Sequence, residues 1–125
     1  MAWHARDSGY ITVAAAGTPE AIVTSSYPCQ TIVFQQIQSN TGKLYVCDRI
    51  TANKTTGVGI LITIPAPTLD GTGVAVVLPY ASVSVPSAPA ALNALSYWVD
   101  ADVNDDQCLV SIVRNQRSNY GVKTL

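Results

Sequence analysis

The side chains most able to do chemistry lie near the C-terminal end of the chain, where Asp100, Asp102, Asp105 and Asp106 form an acidic cluster. A pair of carboxylates can act as general acid and general base in a hydrolase. In a strand, Asp100 and Asp102 would share one face of the sheet. Two carboxylates on an exposed sheet face are more often solvated than catalytic, so we expect the cluster to have no catalytic role.

The same cluster contains the pattern Asp100-x-Asp102-x-Asn104, which matches the start of a calcium-binding EF-hand loop. The rest of that loop does not match, because Asp105 stands where it needs glycine and Ser111 where it needs a bidentate glutamate. Asp100, Asp102 and Asn104 are therefore a weak candidate for a cation site. The favoured interpretation is a turn rich in Asp and Asn that keeps a sheet edge soluble.

No other arrangement in the sequence is typical of an enzyme site. His4 is the only histidine, so neither a Ser-His-Asp nor a Cys-His site is expected. Cys29, Cys47 and Cys108 are odd in number and far apart, which favours buried free thiols in a protein made in a reducing cytosol. We therefore predict a protein that is not an enzyme and that has no cofactor.

The elements that position these residues are predicted to be β-strands. Apolar residues make up 48% of the chain, and they are mostly Ala, Val, Ile and Leu mixed with many Thr and Ser, which favours sheet over helix. Short apolar runs are separated by turn residues throughout. The sequence predicts one all-β domain, a jelly-roll-like or Greek-key β-sandwich of about eight short antiparallel strands.

Two β-hairpins are predicted within this domain. The first joins a strand at Thr31–Gln38 to one at Lys43–Asp48, through a turn in which Gly42 is free to take a positive φ. The second joins Ser96–Val103 to Gln107–Val113. In both, strands that follow each other along the chain are expected to pair.

Two polar segments flank the predicted domain core, which spans about residues 9–113 of the chain. Met1–Ser8 and Asn115–Leu125 lack the alternation of strands. Such segments most often fray, and the alternative is an arm that becomes ordered on a neighbouring subunit, anchored by an aromatic side chain. The candidate interface residues of these arms are Trp3, Arg6, Arg117, Tyr120 and Lys123.

Charged residues make up only 12% of the chain, against about 25% in an ordinary soluble domain. A monomer needs charge to stay soluble and apart from its copies, so we expect much of the surface to be interface. The formal net charge is −1 and neither sign dominates, so no nucleic-acid partner is expected. No apolar run approaches the ~20 residues of a membrane span, so no membrane partner is expected either.

Three stretches of sequence carry a resemblance: CQTIVFQ at 29–35, NTGKLYV at 40–46 and YWVDADVN at 97–104. In this order they resemble small virion structural proteins of tailed bacteriophages, most like head decoration, or cement, proteins. The resemblance implies a jelly-roll-like sandwich that assembles as a dimer or trimer and binds the major capsid protein on the outside of the head. It also implies a location in the virion, assembled in the host cytoplasm, and a role in stabilising the shell by bridging capsomers.

Two other functions are also compatible with the sequence. Structural proteins of phage tails and baseplates share such segments, so the chain could belong to either. A host-surface glycan-binding module is the other alternative, because Tyr97 and Trp98 could stack on a sugar. Adjacent residues of a strand face opposite sides, however, so at least one of these two rings is expected in the core.

Overall fold

The computed structural model describes residues 6–69, 75–76, 82–86 and 92–113 of the chain. Every strand pairing in these residues is antiparallel, and their only helix is a 3-10 turn at Ala94–Ser96. The all-β antiparallel prediction is confirmed. The strands are β1 Arg6–Val13, β2 Glu20–Ala21, β3 Pro28–Cys29, β4 Thr31–Gln35, β5 Leu44–Cys47, β6 Ile60–Ile64, β7 Thr68–Leu69, β8 Ala75–Val76, β9 Ser82–Pro86, β10 Leu92–Asn93, β11 Trp98–Ala101 and β12 Asp106–Val113.

Most of these strands belong to two four-stranded sheets. The first sheet has the order β1-β12-β4-β9, and the second has the order β2-β11-β5-β6. Strands β1 and β12 form the longest pairing among the described strands, from Asp106 opposite Val13 to Val113 opposite Arg6. Each sheet keeps two free edges, so neither closes into a barrel in the part of the chain that the structure describes.

Both sheets contribute side chains to one hydrophobic core. On β12, Cys108, Val110 and Ile112 are buried and alternate with half-exposed residues, as the period of two of a strand requires. Burying one such aliphatic side chain stabilises the fold by roughly 1.5–3 kcal/mol. The same cluster includes Ile32 and Phe34 of the first sheet and Leu44, Val46, Ile64, Val99 and Ala101 of the second.

The first predicted hairpin is wrong. Strands β4 and β5 lie in different sheets, because β4 pairs with β12 and β9, whereas β5 pairs with β11 and β6. Gly42 is not among the described glycines with a positive φ, which are Gly17, Gly57 and Gly59. Space is the reason for glycine at this position, since a Cβ on Gly42 would lie 2.9 Å from Val103 Cγ2 and 3.0 Å from Asp102 Cβ.

The second predicted hairpin is also wrong. Strand β11 pairs with β2 and β5, and β12 pairs with β1 and β4, so the chain crosses from one sheet to the other between them. Crossing lets each strand bury its apolar face against the opposite sheet. Asp105 has a φ of 68° at this crossing, in the left-handed region that Asp tolerates better than most residues.

The N-terminal boundary of the fold differs from the prediction. Strand β1 begins at Arg6, and Ser8 already pairs with Ser111, so residues 6–8 belong to the first sheet and not to an arm. The candidate interface residues Trp3, Arg117, Tyr120 and Lys123 lie outside the described residues. No helix among the described residues is long and apolar enough to cross a membrane.

Candidate functional site

The first residue of the acidic cluster, Asp100, is fully buried. Its Oδ1 atom accepts hydrogen bonds from the backbone N–H groups of Gly17 and Ala101, each at 2.8 Å. Its Oδ2 atom is buried with no hydrogen-bond partner among the described residues. Asp100 therefore holds the loop at Gly17 against strand β11 and is not available to a solvent-borne substrate.

Asp102 lies beyond the end of β11 and is exposed, so it does not share the environment of Asp100. It accepts a hydrogen bond of 2.9 Å from the Tyr45 hydroxyl, and its Oδ1 lies 3.3 Å from Lys54 Nζ. Lys54 also donates to the backbone oxygen of Ala101 at 2.6 Å. Partial burial, together with the adjacent Asp102 carboxylate, raises the pKa of Tyr45 to about 12.

The three residues of the weak cation-site candidate each have protein partners. Asn104 Oδ1 accepts a hydrogen bond of 2.8 Å from the backbone N–H of Ala16. Asp100 binds the neighbouring Gly17, whereas Asp102 binds Tyr45 and Lys54. Among the described residues there is no group of three or more His, Cys, Asp or Glu side chains that could hold a metal ion. In this arrangement the segment positions loops, and its oxygens do not converge on a common point.

The last residue of the cluster, Asp106, anchors the crossing between β4 and β5. It is 6% exposed, and its Oδ2 accepts hydrogen bonds from the backbone N–H groups of Thr41 at 3.2 Å and Gly42 at 3.0 Å. Asn40 is also buried; it accepts a 2.8 Å hydrogen bond from the Gln107 N–H and donates to the Gln107 carbonyl oxygen. These contacts join the 40–42 turn to the start of β12.

A buried glutamine completes this polar network. Gln36 donates to the backbone oxygens of Gly42 at 3.1 Å and Pro65 at 2.9 Å, and its Oε1 accepts a hydrogen bond from Asn40. Sequence reasoning missed both Gln36 and Asn40, because a polar residue near a turn is ordinarily a surface residue. The sequence around them gives no sign of burial, since the contacts that bury them include the distant Pro65 for Gln36 and Gln107 for Asn40.

Residues 48–59, between β5 and β6, form a loop that we call the cover loop. The backbone N–H of Asp48 donates to the Gly59 oxygen at 2.9 Å and closes the base of the loop. Lys54 fixes the middle of the loop to the second sheet. The cover loop presents Ile50 (61% exposed) and Val58 (54% exposed), and Leu61 on the adjacent edge strand β6 is 48% exposed.

All three cysteines, Cys29, Cys47 and Cys108, are buried and free, which confirms the prediction for the thiols. Burial raises the pKa of Cys47 and Cys108 to about 12, and the carboxylate of Asp100 adds to the effect at Cys47. Because the thiolate is the reactive form, these thiols are inert at neutral pH.

An apolar groove of about 220 Å³ lies where the edges of the two sheets face each other; we call it the edge groove. One side is formed by Ser8–Ile11 on β1, and the other by Ile22 and Val23, which follow β2. Val110 and Ile112 on β12 line its inner part. Tyr10 borders the groove and is 61% exposed, the same fraction as Ile50 on the cover loop.

The two rings considered for glycan binding differ in their surroundings. Tyr97 is half-buried and packs against Phe34 in the core, with ring centroids 6.3 Å apart. Trp98 is half-buried on β11, where it pairs with Cys47 on one side and Ala21 on the other. The two rings therefore do not form a joint platform. Comparisons of the chain with protein-family models, curated proteins and solved structures found no match.

Proposed function

We propose that this chain is a non-enzymatic structural protein of a phage virion, a decoration protein that binds the outside of the assembled head and bridges its capsomers. Its partners are the major capsid protein and further copies of itself. The observation that carries the proposal is that a protein with few charged residues exposes apolar side chains at two separate places, the edge groove and the cover loop. The resemblance of the 29–35, 40–46 and 97–104 segments to decoration proteins supplies the kind of partner.

We propose a jelly-roll β-sandwich as the fold that presents these surfaces. Without the strands of the two small two-stranded sheets, β3, β7, β8 and β10, eight described strands remain. Counted in chain order, the first, eighth, third and sixth of these form one sheet, in that spatial order. The second, seventh, fourth and fifth of these strands form the other sheet, in that spatial order. Every connection between consecutive strands therefore crosses from one sheet to the other, except the one from the fourth to the fifth. This alternation is the jelly-roll arrangement found in viral capsid and lectin domains. Fold alone does not imply function, so the surface carries the argument.

The edge groove and strand β6 lie at opposite edges of the second sheet, whose order runs from β2 to β6. The edge groove, with Tyr10, is at the β2 edge. Leu61 is exposed on β6 at the other edge, and the cover loop, with Ile50 and Val58, starts next to β6 and extends across the sheet to Ala101 of β11 and to Gly17. A protein with two separate adhesive surfaces can contact two partners at once, which is what bridging requires.

We assign the cover-loop surface, which consists of Ile50, Val58 and Leu61, to the capsid. Exposed aliphatic side chains on a loop held by Lys54 supply a preorganised apolar patch, and preorganisation lowers the entropic cost of binding. Stabilisation of the shell then follows from mass action, because a protein that binds only the assembled head favours the assembled head.

The test is co-sedimentation of the purified chain with undecorated heads. We expect wild-type protein to bind, and Ile50→Asp to weaken binding by about tenfold or more, the cost of losing a central interface residue. Ser39→Asp is the matched control, since it adds the same charge to an exposed polar position outside the cover loop. It should bind like wild type.

Other outcomes would assign the chain elsewhere. Failure to bind heads, with binding to purified tails, would refute the decoration role and support a tail or baseplate component. Binding of the free chain to immobilised glycans would support the glycan-binding module. Copy number provides an independent check, because a decoration protein is present in proportion to capsid subunits and not to tail subunits.

A further inference from the structure

We propose that the edge groove is the binding site for the C-terminal segment, residues 114–125, of a second copy of this chain. This inference rests on the proposed function, in which the protein assembles with itself, and it names the surface that does so. It also names the groove as the partner of Tyr120, a candidate interface residue from the sequence.

The groove offers two kinds of contact to an extended peptide. Its inner part consists of Val110, Ile112 and Ile22, core residues that keep 4–8% of their surface exposed there. Along one side runs β1, which ends the strand order of its sheet and so has a free backbone edge among the described strands. A free edge accepts a further strand through main-chain hydrogen bonds, and adjacent apolar pockets accept alternate side chains.

The position of the chain end favours this segment as the occupant. Strand β12 ends at Val113, and the preceding residue, Ile112, lines the groove. The segment therefore starts next to the groove of its own copy, so two copies that meet at their grooves bring each segment within reach of the other copy's groove. Twelve residues extend to at most about 40 Å, several times the length of the four groove residues of β1.

The composition of the segment fits the groove. It contains three apolar residues, Tyr120, Val122 and Leu125, and in an extended chain Tyr120 and Val122 lie on the same face. One or two such side chains suit a groove of about 220 Å³. Three basic residues and no acidic side chain keep the segment soluble when it is not bound.

Exchange of C-terminal segments between copies explains why a single copy would leave its own groove empty. If each copy donates its segment to a neighbour, the contacts are the same at every interface, as closed dimers and trimers require. The exchange covers apolar surface on both partners without a second specialised surface, in keeping with a chain of 12% charged residues.

The experiment uses full-length protein in which Tyr120 is replaced by photoreactive benzoylphenylalanine. Equal amounts of ¹⁴N and ¹⁵N chains are mixed, irradiated and digested, and the cross-linked peptides are identified by mass spectrometry. We expect cross-links to peptides that contain Ser8–Ile11 or Ile22–Val23, in pairs that join light and heavy chains. Cross-links elsewhere, or only within one chain, would overturn the proposal.

Two variants of the same protein give a second readout. Tyr10→Ser removes an exposed groove side chain, and should lower both the cross-linking yield and the association constant of the oligomer by about tenfold or more. Leu95→Ser removes an exposed apolar side chain that does not line the groove, and should change neither. Equal effects of the two variants would count against the groove. Equal melting temperatures would show that both are folded.

Head binding is measured on the same samples and separates the two proposals. If the chain decorates heads but Tyr120 does not cross-link to the groove, the inference fails and the proposed function stands. If the cross-links form as expected but heads are not bound, the proposed function fails and the assignment of the groove stands.

Discussion

Removal of the Asp106 carboxylate should destabilise the domain more than removal of an exposed carboxylate would. In Asp106→Ala, the backbone N–H groups of Thr41 and Gly42 lose their acceptor, and the one on Gly42 is buried. A hydrogen bond to a charged group contributes about 1.5–3 kcal/mol, and a buried donor left unpaired costs about 1–3 kcal/mol. Because these contributions overlap, we expect a loss of about 2–4 kcal/mol in the free energy of unfolding.

This loss converts to a measurable shift of the melting temperature. With an unfolding entropy of about 2.1 cal/mol/K per residue, the melting temperature of a chain of this length falls by about 4 °C for each kcal/mol lost in the free energy of unfolding. Asp106→Ala should therefore melt about 8–16 °C below wild type. Asp102→Ala is the matched control, because Asp102 is exposed and pairs only at the surface with Lys54 and Tyr45. A surface ion pair contributes about 0–1 kcal/mol, which predicts a shift of at most about 4 °C.

The assay is thermal and urea unfolding followed by circular dichroism, with the m-value checked for two-state behaviour. Asp106→Asn retains one acceptor oxygen and should lie between wild type and Asp106→Ala. If Asp106→Ala and Asp102→Ala melted at the same temperature, the turn at 40–42 would not depend on the buried carboxylate. The account of the crossing between the two sheets would then be refuted.

Three further outcomes follow from contacts elsewhere in the domain. Cys47 and Cys108 should not react with a thiol reagent at pH 8 until the protein is unfolded. The free energy of unfolding should fall from about pH 9 towards 12, because in that range these thiols and Tyr45 ionise in the unfolded chain, whereas in the folded protein their pKa is about 12. Gly42→Ala should cost about 1–3 kcal/mol from overpacking against the 102–103 side chains, whereas Gly9→Ala, with open space around its Cβ, should cost much less. Lys54→Met should leave the melting temperature within about 4 °C of wild type but speed amide hydrogen exchange in the cover loop, and unchanged exchange there would contradict its anchoring role.

The all-β character could be predicted from sequence because it depends on local composition and period. The alternation over 107–113 predicts a half-buried strand, and β12 has that burial pattern. Strand pairing could not be predicted in the same way. Asn40-Thr41-Gly42 has the composition of a hairpin turn, but the same residues turn the chain equally well from one sheet to the other. Which of the two occurs depends on Asp106 and Gln107, which lie some 65 residues further along the chain.

The acidic cluster shows the same limit at the level of single side chains. A period of two gives Asp100 and Asp102 the same environment, but one is fully buried and the other is exposed. The difference comes from the loop at Gly17, whose backbone binds Asp100, and from the end of the strand at Ala101. Only contacts between distant segments distinguish a structural carboxylate from a solvated one.

The position of β12 has a consequence for biosynthesis. Of the strands that the structure describes, the ribosome makes this one last, but it lies inside the first sheet and pairs with β1 on one side and β4 on the other. Until residue 113 has emerged, β1 has no partner in that sheet and β4 lacks one of its two. We therefore expect the domain to fold only after residue 113 has emerged from the ribosome, on the millisecond-to-second scale of β-rich topologies. Nascent chains with bare strand edges would need chaperones during that interval, and strong overexpression should direct part of the protein into inclusion bodies.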